Sequence, residues 1–226
     1  MFTIIGNIAN LPSVEDLKAY HIGETDKNDL SKVTDFVQLR YSCQNKAIEV
    51  MAEHTGVDTS NLKNVNAPGF QRVEIPQTVI DRLADILQVR KPMARMQVLE
   101  PGNMMTMHCD DLAVGYMRPI EQSLIGKVEF TEEELAMFDA DNYYATRFLI
   151  MMEDWQWGQG MMFNDRTFTH WKSGDVLYWD WTNVAHSTFN SGYIPRGLLR
   201  LTGLRTEATT ELVNQGLNGK PFAVQF

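Results

Sequence analysis

Up to about residue 91 the apolar positions recur mainly at three- and four-residue spacing, whereas after Pro92 they fall into short runs separated by turn residues. The clearest helical stretch covers residues 77–88: it begins after Pro76 and lines Val79, Leu83, Ile86 and Leu87 along one stripe, the pattern of a helix packed on a sheet. Ser13 is placed to cap a short helix through Ala19, and Asp29 or Ser31 to open another through about Leu39. Residues 61–69, with three asparagines and a Pro-Gly pair, read as a loop.

Beyond Pro92, residues 93–99, 104–110, 147–153, 161–163, 176–181, 186–189 and 197–204 read as strands. Turns at Pro101-Gly102, 158–160, Ser173-Gly174 and Ser191-Gly192 separate several of them. One helix interrupts the set, because Thr131 and Glu134 form a capping-box pattern ahead of Leu135, Met137 and Phe138. Many short strands with regular turns predict a mainly β protein, a sandwich or barrel, under a helical N-terminal layer. No repeat or linker divides the 226 residues. The expectation is one domain: a mostly helical region over 1–91, a β core over 92–205 and a C-terminal extension over 206–226.

Composition narrows the function classes. A net charge of −9 argues against a broad grip on phosphate backbones, so nucleic acid is disfavoured as a partner. Cys43 and Cys109 stand in no metal-binding or redox spacing, which favours a reducing compartment. The first residues lack a basic segment, apolar core and cleavage site, and no apolar run approaches the roughly 18 residues of a membrane span. The expectation is a cytoplasmic protein with no membrane partner.

The candidate chemistry lies in His108, Asp110 and His186. Side chains two apart on a strand share a face, so His108 and Asp110 can grip one ion while Cys109 turns away. His186 would complete the set from a distant strand. Two imidazoles and one carboxylate suit a mononuclear non-haem Fe(II) with open coordination positions. H-x-D alone also describes an ion pair at a strand end. Asp111 falls on the opposite face by the same alternation and is assigned to solvent or to orienting a ligand. His21, His54 and His170 have no carboxylate two residues on, and His170, beside Trp171, reads as a packing or rim residue.

Four ordered segments carry a family resemblance: MHCDD at 107–111, RFLIMMEDWQWGQGMMF at 147–163, KSGDVLYWD at 172–180 and HSTFNSGYIPRGLLRL at 186–201. Together they resemble the Fe(II)- and 2-oxoglutarate-dependent dioxygenase superfamily, particularly its prolyl-hydroxylase-like and phage or marine bacterial members. The resemblance implies a double-stranded β-helix, or jelly roll, with His108, Asp110 and His186 on the metal and no catalytic residue beyond these ligands. It implies Fe(II) and 2-oxoglutarate as cofactor and co-substrate, and molecular oxygen and a small-molecule or peptide substrate as partners. Hydroxylation or desaturation, with release of succinate and carbon dioxide, is the implied outcome.

By the same resemblance Arg196 would hold the 5-carboxylate of 2-oxoglutarate, a role that suits a planar guanidinium able to form two parallel hydrogen bonds. Arg200 competes for it, because Arg200-Leu201-Thr202 resembles an arginine-x-hydroxyl signature in which Thr202 also touches the co-substrate. Arg196 departs from that signature, since no hydroxyl follows it two residues on. Met104, Met105, Met107, Trp155, Trp157, Trp171, Trp179 and Trp181 read first as barrel core and second as a pocket lining. Tyr116, Arg118 and residues 142–144 are candidates for the site mouth. The alternative reading is a non-catalytic jelly-roll metal-binding or structural protein; a cupin-like isomerase or lyase would ordinarily use more histidines.

Overall fold

The computed structural model describes residues 2–18, 44–50, 52–53, 56, 58, 71–73, 75–110, 130–140, 144–164 and 166–226. Its strands are β1 (Thr3–Ala9), β2 (Gln71–Val73), β3 (Arg90–Leu99), β4 (Asn103–His108), β5 (Ala145–Met151), β6 (Gln159–Phe163), β7 (Arg166–Phe168), β8 (Asp175–Tyr178), β9 (His186–Asn190), β10 (Arg196–Leu204) and β11 (Phe222–Gln225). Helices α1 (Val14–Lys18), α2 (Gln77–Leu87), α3 (Glu132–Ala140) and α4 (Glu207–Leu217) accompany them, and residues 44–50 and 52–53 are helical as well. The helix expected over 29–39 and the loop over 61–69 lie outside the described residues.

One sheet runs β11-β1-β8-β5-β10-β3-β2 and the other β4-β9-β6-β7. From β3 to β10 the chain passes back and forth between them: β3, β5, β8 and β10 join the large sheet, and β4, β6, β7 and β9 form the small one. Within each sheet these strands pair antiparallel. This winding is the double-stranded β-helix, the jelly roll anticipated for the core.

Strand β10 shows why the pattern folds this way. Leu198 and Leu204 turn inward with Met93, Leu149, Trp171, Trp179 and Trp181, filling the space between the sheets. Leu199 and Leu201 turn outward beneath α1 and α2, packed with Val14, Leu17, Ile80, Leu83 and Leu87. A strand covered on both faces is apolar almost throughout, so a polar residue within it marks a special position. Such positions on β10 are Arg196, Arg200 and Thr202. Helix α2 buries Leu83 and Leu87 of the expected stripe together with Ile80 and Ala84. Helix α1 opens on the expected cap: the Asp16 amide donates to Ser13 Oγ at 3.0 Å and Asp16 Oδ2 accepts from the Ser13 amide at 3.1 Å.

Among its described residues the N-terminal region holds strands as well as helices. Strand β1 lies beside β8 in the large sheet and pairs in parallel with β11 from the other end of the sequence. Helix α4 covers β1, with Gly216 against Ile5. Gly216→Ala tests that contact. Helix propensity favours alanine by about 1 kcal/mol, but the new Cβ would lie 2.5 Å from Ile5 Cβ and 2.7 Å from Ile5 Cα. Backbone cannot retreat cheaply, and overpacking costs about 1–3 kcal/mol. The expected result is a lower denaturant midpoint than wild type in urea unfolding. Among the described residues no helix is long and apolar enough to cross a membrane.

Candidate metal centre

Strands β4 and β9 pair from Asn103 opposite Asn190 to His108 opposite His186, which sets the two histidines side by side at one end of the barrel. Their ring centroids are 4.4 Å apart. The ladder shifts register between Met105 and His108 and ends there, so Asp110 follows the strand rather than belonging to it. Its amide donates to the Trp181 carbonyl at 2.8 Å, which returns the carboxylate to the histidines. Cys109 turns outward, buried with Ala47 and Ala185, as alternation requires.

One donor atom from each of His108, Asp110 and His186 lies within 4.8 Å of the others. His108 Nε2 is 3.8 Å from Asp110 Oδ1, and His186 Nε2 is 3.7 Å from Oδ2, too far for hydrogen bonds. The tautomers follow from the other ring nitrogens. His108 Nδ1 sits 2.8 Å from the Thr106 carbonyl and His186 Nδ1 2.9 Å from the Val184 carbonyl. A carbonyl only accepts, so each Nδ1 carries the hydrogen and each Nε2 presents a lone pair toward the cluster. His186 Nε2 is buried with no hydrogen-bond partner among the described residues. Such an atom is costly to leave unmatched, and a divalent cation would supply the missing partner. Trp179 and Trp181 meet the His186 ring in T-shaped contacts, with centroids at 5.2 and 5.1 Å.

Arg147 is the site residue that the strand pattern did not single out. From β5 its Nη1 donates to Asp110 Oδ2 at 2.5 Å and its Nε to Thr202 Oγ1 at 2.8 Å, with the guanidinium 5.3 Å over the Trp181 ring. The sequence carried a signal in that Arg147 heads the apolar run FLIMM, and a cation on a strand covered on both faces needs polar partners. Burial works against the Asp110 charge, but Arg147 and the two imidazoles outweigh it and hold the carboxyl well below its ordinary value. Burial, reinforced by the neighbouring His186 and opposed by Asp110, pushes His108 down to about 4.

The His108 shift predicts an acid weakness of the metal-free protein. Its folded pKa lies below that of an unfolded histidine, so between about pH 6.5 and 4 the unfolded chain binds the extra proton. Stability should therefore fall by roughly 3 kcal/mol as pH drops through that window, and stay level above it as far as this group is concerned. Urea unfolding in EDTA at pH 7 and pH 4.5 checks the sign, and His108→Gln should flatten the dependence.

Arg196 and Arg200 share the inner face of β10 at different depths. Arg200 pairs across from Arg95 and Leu149, and its charge reaches His108. Thr202 lies opposite Arg147 and Met93, with its hydroxyl engaged by Arg147. Arg196 lies deeper and only 1 % exposed. Its guanidinium donates to the Gly160 carbonyl at 3.1 Å, the Phe189 carbonyl at 3.3 Å and Thr188 Oγ1, and rests 5.7 Å from the Trp171 ring. Among the described residues it meets no carboxylate, its Nε has no partner, and burial pulls its pKa down to about 9. Thr188 lies two residues beyond His186 on the same side of β9, about 7 Å away along the strand.

The remaining expectations divide cleanly. His170 packs, stacking on Trp155 with centroids at 4.0 Å. Trp171, Trp179 and Trp181 are buried in the barrel, whereas Trp157 is 83 % exposed and Met104 48 %. Asp111, Tyr116, Arg118, Asn142, Tyr143, His21, His54 and Cys43 lie outside the described residues.

No protein-family model and no curated protein matches the chain. Solved structures similar to it include a prolyl-4-hydroxylase from Pseudomonas putida, at 13% identity and TM-score 0.37 over 78% of this chain and 99% of that one. Others are a cupin 2 conserved barrel domain protein from Salinispora arenicola (10%, 0.33, 70% and 99%) and a predicted oxalate decarboxylase from Thermotoga maritima (12%, 0.34, 66% and 98%). At such identities and scores the jelly-roll assignment rests on strand order, and the metal centre on its own residues.

Proposed function

We propose that this protein is a cytoplasmic, single-domain Fe(II)- and 2-oxoglutarate-dependent dioxygenase that hydroxylates a small-molecule or peptide substrate. The observation that carries the reading is the convergence of two Nε2 lone pairs and one carboxylate at a barrel end. Deeper in the same barrel lies a buried guanidinium, that of Arg196, which meets no carboxylate among the described residues. His108, Asp110 and His186 would hold the metal, one carboxylate charge against two neutral imidazoles. When bound, Fe(II) with 2-oxoglutarate supplies oxidation of the substrate by dioxygen, with loss of carbon dioxide and succinate.

The chain's own residues set the geometry for that chemistry. The Thr106 and Val184 carbonyls lock the imidazoles in the ligating tautomer. Arg196, with Thr188 beside it, offers a charge-assisted site for a distal carboxylate at the length scale of 2-oxoglutarate. Arg200 and Thr202, nearer the metal end, are the competing pair for that role. Trp179 and Trp181 exclude water from behind His186. A metal-binding protein without turnover would share the three ligands but has no use for an unneutralised cation in its core, which costs stability.

Anaerobic addition of Fe(II) and 2-oxoglutarate to the metal-free protein tests the reading. A visible metal-to-ligand charge-transfer band that is absent in Asp110→Ala is expected. No band at saturating concentrations would overturn it.

A further inference from the structure

We infer that Arg147 is a positioning residue that makes Asp110 a one-oxygen ligand. A carboxylate beside a metal can ligate through one oxygen or both, and the choice decides how many positions stay open. Both carboxylate oxygens face a histidine, Oδ1 at 3.8 Å from His108 Nε2 and Oδ2 at 3.7 Å from His186 Nε2, but only Oδ2 also accepts from Arg147 Nη1, at 2.5 Å. The guanidinium is held in turn: Nε by Thr202 on the adjoining strand at 2.8 Å, and its face by the Trp181 ring. Trp181 closes the loop, its Nε1 donating to the Arg147 carbonyl at 2.8 Å and its carbonyl accepting from the Asp110 amide at 2.8 Å. Asp110 is thereby fixed at both backbone and side chain by β5, β10 and the turn after β8. A charge-assisted bond from a fork with two anchors draws electron density from Oδ2 and makes Oδ1 the better donor to a metal. The planar fork matters as well as the charge, because it holds two donors at a fixed spacing for Asp110 and Thr202, whereas a lysine ammonium is a single point charge on a flexible stem.

The inference rests on the reading of His108, Asp110 and His186 as a divalent-metal site, and is independent of 2-oxoglutarate. Co(II) alone is therefore the probe, titrated into metal-free wild type, Arg147→Lys, Thr202→Val and Asp110→Ala. Its visible absorption reports coordination number as well as affinity. Arg147→Lys keeps the buried charge; it should fold, bind Co(II) about 10- to 100-fold more weakly and show a changed band intensity. Thr202→Val should move both readouts the same way by less. Wild-type affinity and spectrum in Arg147→Lys would overturn the inference. If that variant does not fold, the same result in Thr202→Val overturns it. A wild type that binds no Co(II), or an Asp110→Ala that binds as well as wild type, removes the metal site itself and the inference with it.

Discussion

Asp110→Ala should eliminate the charge-transfer band and succinate release, and should also unfold more readily than wild type in the absence of any metal. The first effect follows from losing the single anionic ligand among the three. The second follows from Arg147, which is 4 % exposed and would be left as an uncompensated buried cation. Removing one partner of such a pair costs about 3–5 kcal/mol, more than the intact pair contributes, because the stranded charge keeps its desolvation penalty. Asp110→Asn separates the two effects. The amide retains an oxygen for Arg147 and keeps the shape, so its loss of stability should be smaller, while metal affinity should fall as in alanine. Urea unfolding of the three metal-free proteins at pH 7 is the measurement. Equal stability of Asp110→Ala and wild type would show that the Arg147 contact is not formed in solution.

What the sequence reveals about this site depends on how local the information is. Period-two alternation placed His108 and Asp110 on one side and Cys109 on the other, and Cys109 is indeed buried outside the barrel with Ala47 and Ala185. The turn-punctuated runs marked the jelly-roll strands for the same reason. Ends were less legible: the run through Trp181 stops as a strand at Tyr178, because Asp180 Oδ1 accepts the amides of Thr182 and Asn183 and starts a turn. Strands β1 and β11 were missed because each is completed by the opposite terminus, a pairing that no sequence window contains. The short β7 escaped because its exposed Arg166 and Thr167 give it no apolar pattern. Arg147 was seen only as the head of a strand, since its significance lies in Asp110 and Thr202, two residues far away in sequence.

Arg196→Met is expected to leave the metal-free protein as stable as wild type or more so, and yet to lose 2-oxoglutarate. Ordinarily a buried arginine replaced by a thioether destabilises, but here the guanidinium is desolvated with no carboxylate beside it among the described residues, and burial lowers its pKa accordingly. Opposing it are the hydrogen bonds to Gly160, Phe189 and Thr188. The Gly160 carbonyl keeps a second donor in Thr188 Oγ1 at 3.1 Å, so removing the arginine does not orphan it. Ligand binding reverses the balance. Two charge-assisted hydrogen bonds at about 1.5–3 kcal/mol each correspond to a loss of roughly two to four orders of magnitude in affinity. Wild type should gain about 2.7 kcal/mol of stability at a ligand concentration 100 times Kd, and Arg196→Met should gain almost none. Thermal unfolding with Mn(II), with and without 2-oxoglutarate, reads both quantities in one experiment. Arg200→Met discriminates between the two arginines: its shallower position near His108 predicts a disturbed metal site with much of the 2-oxoglutarate stabilisation retained. If Arg200→Met alone abolishes that stabilisation, the distal carboxylate is held near the metal end by Arg200, and Arg196 is a structural cation held by backbone carbonyls.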